Sequence, residues 1–265
     1  MPSVSNIAIG ANMAAAAANK ARHGMNESIA RLSTGVRAMY GADAAGHSMG
    51  KSIQAVGASY AQAARNIEDG ISYAQMGESV LLEVANLAQR LRELAITADN
   101  ADLLDANQEA ALNAEAALIG DTVQNIVDTT DFNTVEVVDS ASATQKAIAY
   151  GSLTANTTNV GPNVSITAVN GVSAAAGAES NADTLLAEVA EGLGNIAADL
   201  TALKAFQGAA SSTSANMAAA GARLIDTDFA LETASLTKNA ILNQAALAMA
   251  AQANAAQSSI LSVLQ

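Results

Sequence analysis

Two uncharged stretches at opposite ends of the chain carry the same hydrophobic rhythm. In residues 239–265, Leu242, Ala246, Met249, Ala253, Ala256, Ile260 and Val263 follow one another at spacings of 4, 3, 4, 3, 4 and 3, the seam period of helices packed lengthwise. Ala245, Leu247, Ala248, Ala250, Ala251, Leu261 and Leu264 place apolar groups on the remaining faces, so a single neighbour cannot cover this helix. Residues 1–19 repeat the pattern through Val4, Ile7, Ala11, Ala14 and Ala18, spaced 3, 4, 3 and 4. Two such helices can pair antiparallel and still leave apolar surface outside the pair, which predicts packing against further copies. A buried hairpin in a globular core is the other reading of the same stripes. Asn243, Gln244, Gln252, Asn254 and Gln257 oppose a membrane span. Residues 1–19 do not read as a secretory signal, because the first cation is Lys20.

Between these ends the pattern predicts helix to about Ser33, a break at Thr34-Gly35 and a glycine-bearing linker through Gly41 and Gly46. From about Asp43 a long stripe runs through Ile53, Val56, Tyr60, Ala63, Ile67, Ile71, Ala74, Leu81, Val84, Leu87, Leu91 and Leu94, a pattern of coiled-coil-like packing. Asp99, Asn100 and Asp102 supply turn and capping chemistry before a helix marked by Leu112, Ala116, Ile119, Val123 and Ile126, ending near Thr129-Thr130. Residues 132–180 change character. Val135 alternates with Val137 and Val164 with Ile166, and Asn170-Gly171 signals a tight turn, so one or two hairpins are expected. Helix resumes near Asn181 through Leu186, Val189, Leu193, Ile196, Leu200, Leu203, Phe206 and Ala210, and Asp226-Thr-Asp228 offers an N-cap for the terminal helix. The predicted fold is mainly α: an elongated antiparallel coiled-coil or helical-bundle rod with a small β-hairpin region and both chain ends at one end of the rod.

Composition sharpens this picture. Hydrophobic residues make up 51% of the 265, but aromatics only 3%, with no Trp, which favours long, closely packed helices over a thick core. Only Pro2 and Pro162 interrupt helix chemistry. The absence of Cys excludes disulfides, thiolate metal sites and cysteine nucleophiles. The net charge of −13 is unevenly placed: residues 1–65 carry six cations against two carboxylates, whereas residues 93–199 carry sixteen carboxylates against Lys146. That acidic middle opposes nucleic-acid binding and suits a solvated face.

No catalytic, cofactor or metal site emerges. Ala45-Gly-His-Ser-Met-Gly50-Lys51-Ser52 fits a loosened phosphate-loop pattern, but no hydrophobic strand precedes it, as that mechanism requires. His23 and His47 lack partners at triad or ligand spacing. The pairs Glu68-Asp69 and Asp226/Asp228 suit helix termini better than acid–base work. Ser and Thr of residues 140–180, with the sequons Asn156-Thr-Thr158 and Asn163-Val-Ser165, are glycosylation candidates.

Several motifs in fixed order resemble bacterial flagellins, the subunits of the flagellar filament. Near the N-terminus these are Arg31-Leu-Ser-Thr-Gly35 with Arg37, Asp43-Ala-Ala-Gly46, Glu68-Asp-Gly-Ile-Ser72, Gln89-Arg-Leu-Arg-Glu-Leu-Ala95 and Thr130-Asp-Phe-Asn133. Towards the C-terminus they are Asp228-Phe-Ala230, Leu236-Thr237, Ile241-Leu242, Gln244-Ala245, Ala248-Met249, Ala251-Gln-Ala-Asn254 and Leu261-Ser262. This sequence departs from the family in an approach to Gly46 one residue shorter and in Gln257, where a proline is common. The middle is also short, so the chain resembles a flagellin without large outer domains.

The resemblance implies a non-enzymatic, secreted subunit of the extracellular flagellum, without cofactors, that polymerises with other flagellin subunits and serves motility. Its implied further partners are the flagellar export apparatus, the filament cap and junction proteins. Residues 1–33 and 226–265 would form an inner core helical domain, joined by a linker at 34–46 to rod helices 47–131 and 181–225, with the β-hairpin region at 132–180. Polymer contacts are expected from Val4, Ile7, Ala11, Ala14, Leu242, Ala246, Met249, Ala253, Ile260, Val263 and Leu264. Arg90, Leu94 and Glu115 match positions through which some flagellins are recognised by a vertebrate Toll-like receptor; rod packing and surface charge are the competing account of the same residues. A hook–filament junction protein and a secreted coiled-coil effector are the alternative functions.

Overall fold

Helix dominates wherever the apolar period is close to 3.6 residues. The computed structural model describes residues 2–37, 43–139, 145–152, 156–167 and 172–264. Within them α1 spans Pro2–Thr34, α2 Ala44–Ala98, α3 Ala106–Thr129, α4 Glu179–Ile225 and α5 Phe229–Leu264. Pro2 occupies the first helical position of α1, where its missing N–H costs no internal bond. Gly35, at φ +68°, follows the last residue of α1 as a left-handed C-terminal stop. The expected break after Ser33 and the return of helix near Asn181 are therefore met within two residues.

Local capping explains the other boundaries. Asp43 starts α2 by accepting from the Gly46 amide at 3.0 Å through its side chain. The α3 cap lies a few residues beyond the expected Asp99–Asp102 cluster. Asp105 accepts from the Asn107 and Gln108 amides at 2.7 and 2.9 Å, and the Gln108 side chain accepts from the Asp105 amide at 3.0 Å, a complete capping box. Asp228, as expected, caps α5 by accepting from the Ala230 and Leu231 amides at 2.9 and 3.2 Å.

By contact density the chain divides into one unit of residues 1–55 and 217–265 and another of residues 56–216. In the second unit α2 and α4 run antiparallel: the Gln207 side chain donates to Glu68 at 3.0 Å, and Arg92 reaches Asp183 at 2.8 Å. α3 folds back on α2, where Arg90 meets Glu115 at 2.7 Å. Ile67, Leu81, Val84, Leu91, Val123, Val127, Leu185, Ile196 and Leu203 fill the core between the helices. The sequence stripe named most of these residues, because each lies on the helix face that a partner covers.

The β region consists of two short antiparallel pairs, matching the one or two hairpins expected. β1 (Asp131–Phe132) and β2 (Val135–Glu136) form a minimal antiparallel pair in which Phe132 faces Val135. Its turn residues Asn133 and Thr134 both have positive φ, the geometry whose twist suits a two-residue hairpin. β3 (Lys146–Ala149) pairs antiparallel with β4 (Thr157–Val160). Val164 and Ile166 belong to neither pair; they are buried anchors beside a single parallel bridge between Asp139 and Ser165. Alternating burial does not require a strand when an irregular segment is held by individual side chains. The Asn170-Gly171 turn signal lies outside the described residues.

Side chains join both hairpins to the helices. The Tyr73 hydroxyl donates to the Glu136 carbonyl at 3.1 Å, and its ring meets Phe132 edge-on. Tyr150 stacks on Phe206 with ring centroids 4.2 Å apart, a contact with a specific orientation beyond area burial. The Asp199 side chain accepts from the Gly161 backbone amide at 3.0 Å, and the Asn195 side-chain nitrogen donates to the Pro162 carbonyl at 2.9 Å.

Two glycines on α4 should respond oppositely to a side chain. A Cβ at Gly192 would lie 2.8 Å from Leu81 Cδ1 and 2.9 Å from Val164 Cγ1, whereas none at Gly194 meets an atom within 4 Å. Gly192→Val should lower unfolding stability by about 1–3 kcal/mol and Gly194→Ala raise it by about 0.5–1 kcal/mol, read by urea denaturation. Burial holds the Asp199 carboxyl above its ordinary pKa, against the opposing effect of the Gly161 hydrogen bond. Because its folded pKa exceeds its unfolded one, stability falls as pH rises from the unfolded value through the folded one. Asp199→Asn keeps an acceptor for Gly161 and removes the charge. It should equal or exceed the native chain in stability at neutral pH, with the difference vanishing in acid below both pKa values; denaturation curves at the two pH values test this.

Candidate assembly surface

α1 and α5 meet through small and polar side chains. On α1 the less exposed positions include a run at Ala11, Ala14, Ala18, Ala21, Met25, Ser28 and Leu32, spaced 3, 4, 3, 4, 3 and 4. On α5 they include Glu232, Leu236, Asn239, Asn243, Ala246, Ala250 and Ala253, spaced 4, 3, 4, 3, 4 and 3. The α1 seam continues the sequence pattern. The α5 seam coincides with it only in part: Ala246, Ala253 and Ala256 are buried or half-buried, but Leu242 and Met249 are exposed. The stripe of larger apolar residues is thus offset from the face that α5 gives to α1.

Specific contacts set the antiparallel register of this pair. A Cβ at Gly24 would lie 2.6 Å from the Asn239 side-chain nitrogen, so the glycine makes room for that amide between the helices. Arg31 lies 3.6 Å from Glu232 and 3.8 Å from Glu27. Glu232 is nearly buried, and neither its Oε1 nor Arg31 Nε has a hydrogen-bond partner. The ion pair therefore discriminates register more than it adds stability.

The chain entering and leaving the pair is held by a short β bridge that the sequence pattern did not signal. The Arg37 amide donates to the Ile225 carbonyl at 2.7 Å and the Thr227 amide to the Gly35 carbonyl at 2.9 Å, flanking the antiparallel Val36–Asp226 bridge. Arg37 also contacts Asp43 at 2.6 Å and donates to the Leu224 carbonyl at 3.2 Å. Gly50 lies close behind, where a Cβ would meet the Ile225 side chain. Residues 38–42 of the predicted linker lie outside the described residues.

Several large apolar side chains remain outside the pair. Ile241, Leu242, Leu247 and Met249 of α5 and Ile9 and Met13 of α1 are exposed. Between the helices lies a cleft of about 860 Å³ lined by Met13, Ala17, Leu242, Ala245 and Met249, with Lys20, His23 and Lys238 at its polar margin. Of the residues expected to make polymer contacts, Ala14 and Ala246 are buried in the pair, Ala11 and Ala253 are half-buried, and Leu242 and Met249 are exposed. Val4, Ile7, Ile260, Val263 and Leu264 lie on the helices, but their side chains fall outside the described residues.

The other sequence candidates are placed in the helical scaffold. Arg90 donates to Glu115 through Nε at 2.9 Å and to Glu93 at 3.2 Å; the Glu115 hydrogen bond chiefly holds its guanidinium above the ordinary pKa. Leu94, between them in the expected trio, is buried in the core. The glycine- and lysine-bearing segment 45–52 lies within α2, so it is not a loop curled around phosphates. His23 is largely exposed, 3.5 Å from Glu27. Among the described residues, no cluster has the makings of a metal site and no helix is long and apolar enough to cross a membrane.

These features define a helical protein whose paired ends retain apolar surface for neighbours. The chain matches the bacterial flagellin N-terminal helical region over residues 5–143 and the bacterial flagellin C-terminal helical region over residues 180–264. It is 33% identical to a flagellin of Halalkalibacterium halodurans, over 89% of this chain and 90% of that protein. It is 27% identical to a flagellar filament core protein of Brachyspira hyodysenteriae, over 91% of this chain and 92% of the relative. A crystal structure of Bacillus cereus flagellin aligns with 58% of this chain and 88% of that one at 17% identity and a TM-score of 0.40. The chain belongs to the bacterial flagellin family.

The Arg31–Glu232 pair gives this surface a direct test. Glu232→Ala leaves a largely buried guanidinium short of its partner and should destabilise the chain by about 1–3 kcal/mol. The double substitution Arg31→Met with Glu232→Leu should recover most of that loss, as measured by a double-mutant cycle in urea.

Proposed function

We infer that this chain is a structural subunit that polymerises into the bacterial flagellar filament and serves motility. The observation that carries the reading is the set of exposed apolar side chains around α5, Ile241, Leu242, Leu247 and Met249, in a chain whose two ends both match flagellin regions. Apolar surface of this extent on one helix becomes stable when neighbouring subunits exclude water from it. Assembly with other flagellin subunits supplies those neighbours without chemistry at a catalytic centre. The subunit acts outside the cell after export, with the export apparatus, the filament cap and junction proteins as its further partners. Leu242 and Met249 form the centre of the polymer contact, while Ala14 and Ala246 act indirectly by closing the α1/α5 pair.

The test is electron microscopy of purified full-length protein added to sonicated filament fragments. The native chain should extend the fragments into long tubular filaments. Leu242→Asp with Leu247→Asp should retain helicity by circular dichroism but slow elongation at least about tenfold, because each charge must lose its water on assembly. Native protein that stays monomeric on seeds overturns the filament reading.

A further inference from the structure

Two strongly exposed methionines line the same cleft. Met13 on α1 is 69% exposed and Met249 on α5 is 67% exposed, and Ala17, Leu242 and Ala245 complete the apolar lining between them. Met49, also well exposed, lies on α2 outside this lining. Met25, Met76 and Met217 are half-buried.

We propose that Met13 and Met249 form a paired oxidation site, at which oxidants of the peroxide class convert both thioethers to sulfoxides and withdraw the subunit from assembly. The inference rests on the reading of this face as the polymer contact. A lone pair on each methionine sulfur attacks one peroxide oxygen, forming the S–O bond as the O–O bond breaks. The departing hydroxide takes the proton from the transferred oxygen and leaves as water, so sulfur is oxidised and peroxide reduced. Methionine needs no prior deprotonation; solvent access selects which sulfur reacts.

The product changes the surface without disturbing what holds the two helices together. Ala14, Ala18, Ala21 and Ala246 are buried in the pair, whereas Met13 and Met249 stand outside it. In the free subunit water solvates each sulfoxide. On assembly that hydration is lost beside Ala17, Leu242 and Ala245, which offer no hydrogen-bond donor, while Lys20, His23 and Lys238 stand at the margin of the cleft. Assembly and oxidation therefore oppose one another: a subunit already in the filament is shielded from peroxide, and a subunit oxidised first adds poorly.

The test treats full-length monomer with hydrogen peroxide, maps sulfoxides by peptide mass spectrometry and measures seeded elongation. Oxidation at Met13 and Met249 should slow elongation about tenfold or more with helicity retained. Methionine sulfoxide reductase should restore the rate, and the same peptides should be protected in assembled filaments. Met13→Leu with Met249→Leu should make elongation resistant to peroxide, whereas Met49→Leu should leave it sensitive. Native protein carrying both sulfoxides yet elongating at the untreated rate overturns the proposal, as does a rate that the reductase fails to restore; neither result requires a substituted chain to fold. Failure of untreated native protein to elongate overturns the filament reading, and the oxidation proposal with it.

Discussion

An alanine side chain is too short to fill the space that leucine fills between two coiled helices, so α1 and α5 must either approach closely or leave a gap. Along Ala14, Ala18 and Ala21 they approach Ala246 and its neighbours closely enough to exclude water. Beside that seam they leave the cleft lined by Met13, Leu242 and Met249. A buried methyl contributes about 0.8 kcal/mol where a leucine side chain contributes about 1.5–3 kcal/mol. The pair therefore gains little from its own seam, and the larger apolar groups remain available to other subunits.

A weak seam of near-identical alanines also leaves register poorly specified, since sliding one helix by a heptad replaces one alanine contact with another. The polar positions remove that ambiguity. Asn239 lies against Gly24, where a side chain would clash with it, and Glu232 lies opposite Arg31. The 35–37 and 225–227 segments lock the chain entering and leaving the pair through two backbone hydrogen bonds. A buried Asn or ion pair in a coiled seam commonly selects register at some cost in stability. Here such groups sit at one end of the hairpin and the exposed methionines towards the other.

The unit of residues 56–216 follows another logic. Its helices carry Leu, Ile and Val inward, and the β region adds Phe132 and Tyr150, which pack on Tyr73 of α2 and Phe206 of α4. Its ion pairs, Arg90–Glu115 and Arg92–Asp183, cross between helices at their exposed edges, where solvent screening limits each to a small contribution. Arg90 and Glu115 meet across the α2/α3 contact, and Leu94 lies in the interior.

The sequence by itself determined the helices and most of their ends, because the apolar period, Pro2, Gly35 and Asp228 act within a few residues of chain. It also marked the uncharged ends as surfaces needing neighbours, since no single partner covers apolar groups on every face of residues 239–265. Only the tertiary structure decided which stripe of α5 faces α1. Its alanines satisfy several helical phases equally, and the stripe that faces α1 includes Glu232, opposite Arg31, and Asn239, opposite Gly24, polar residues that a hydrophobic pattern passes over. The same holds for the bridge at Val36–Asp226 and for Val164 and Ile166, whose alternation reads as a strand; both are buried, and the Ile166 amide donates to the distant Asp139 carbonyl. Local chemistry sets the helices; contacts between distant residues set which of their faces remain open.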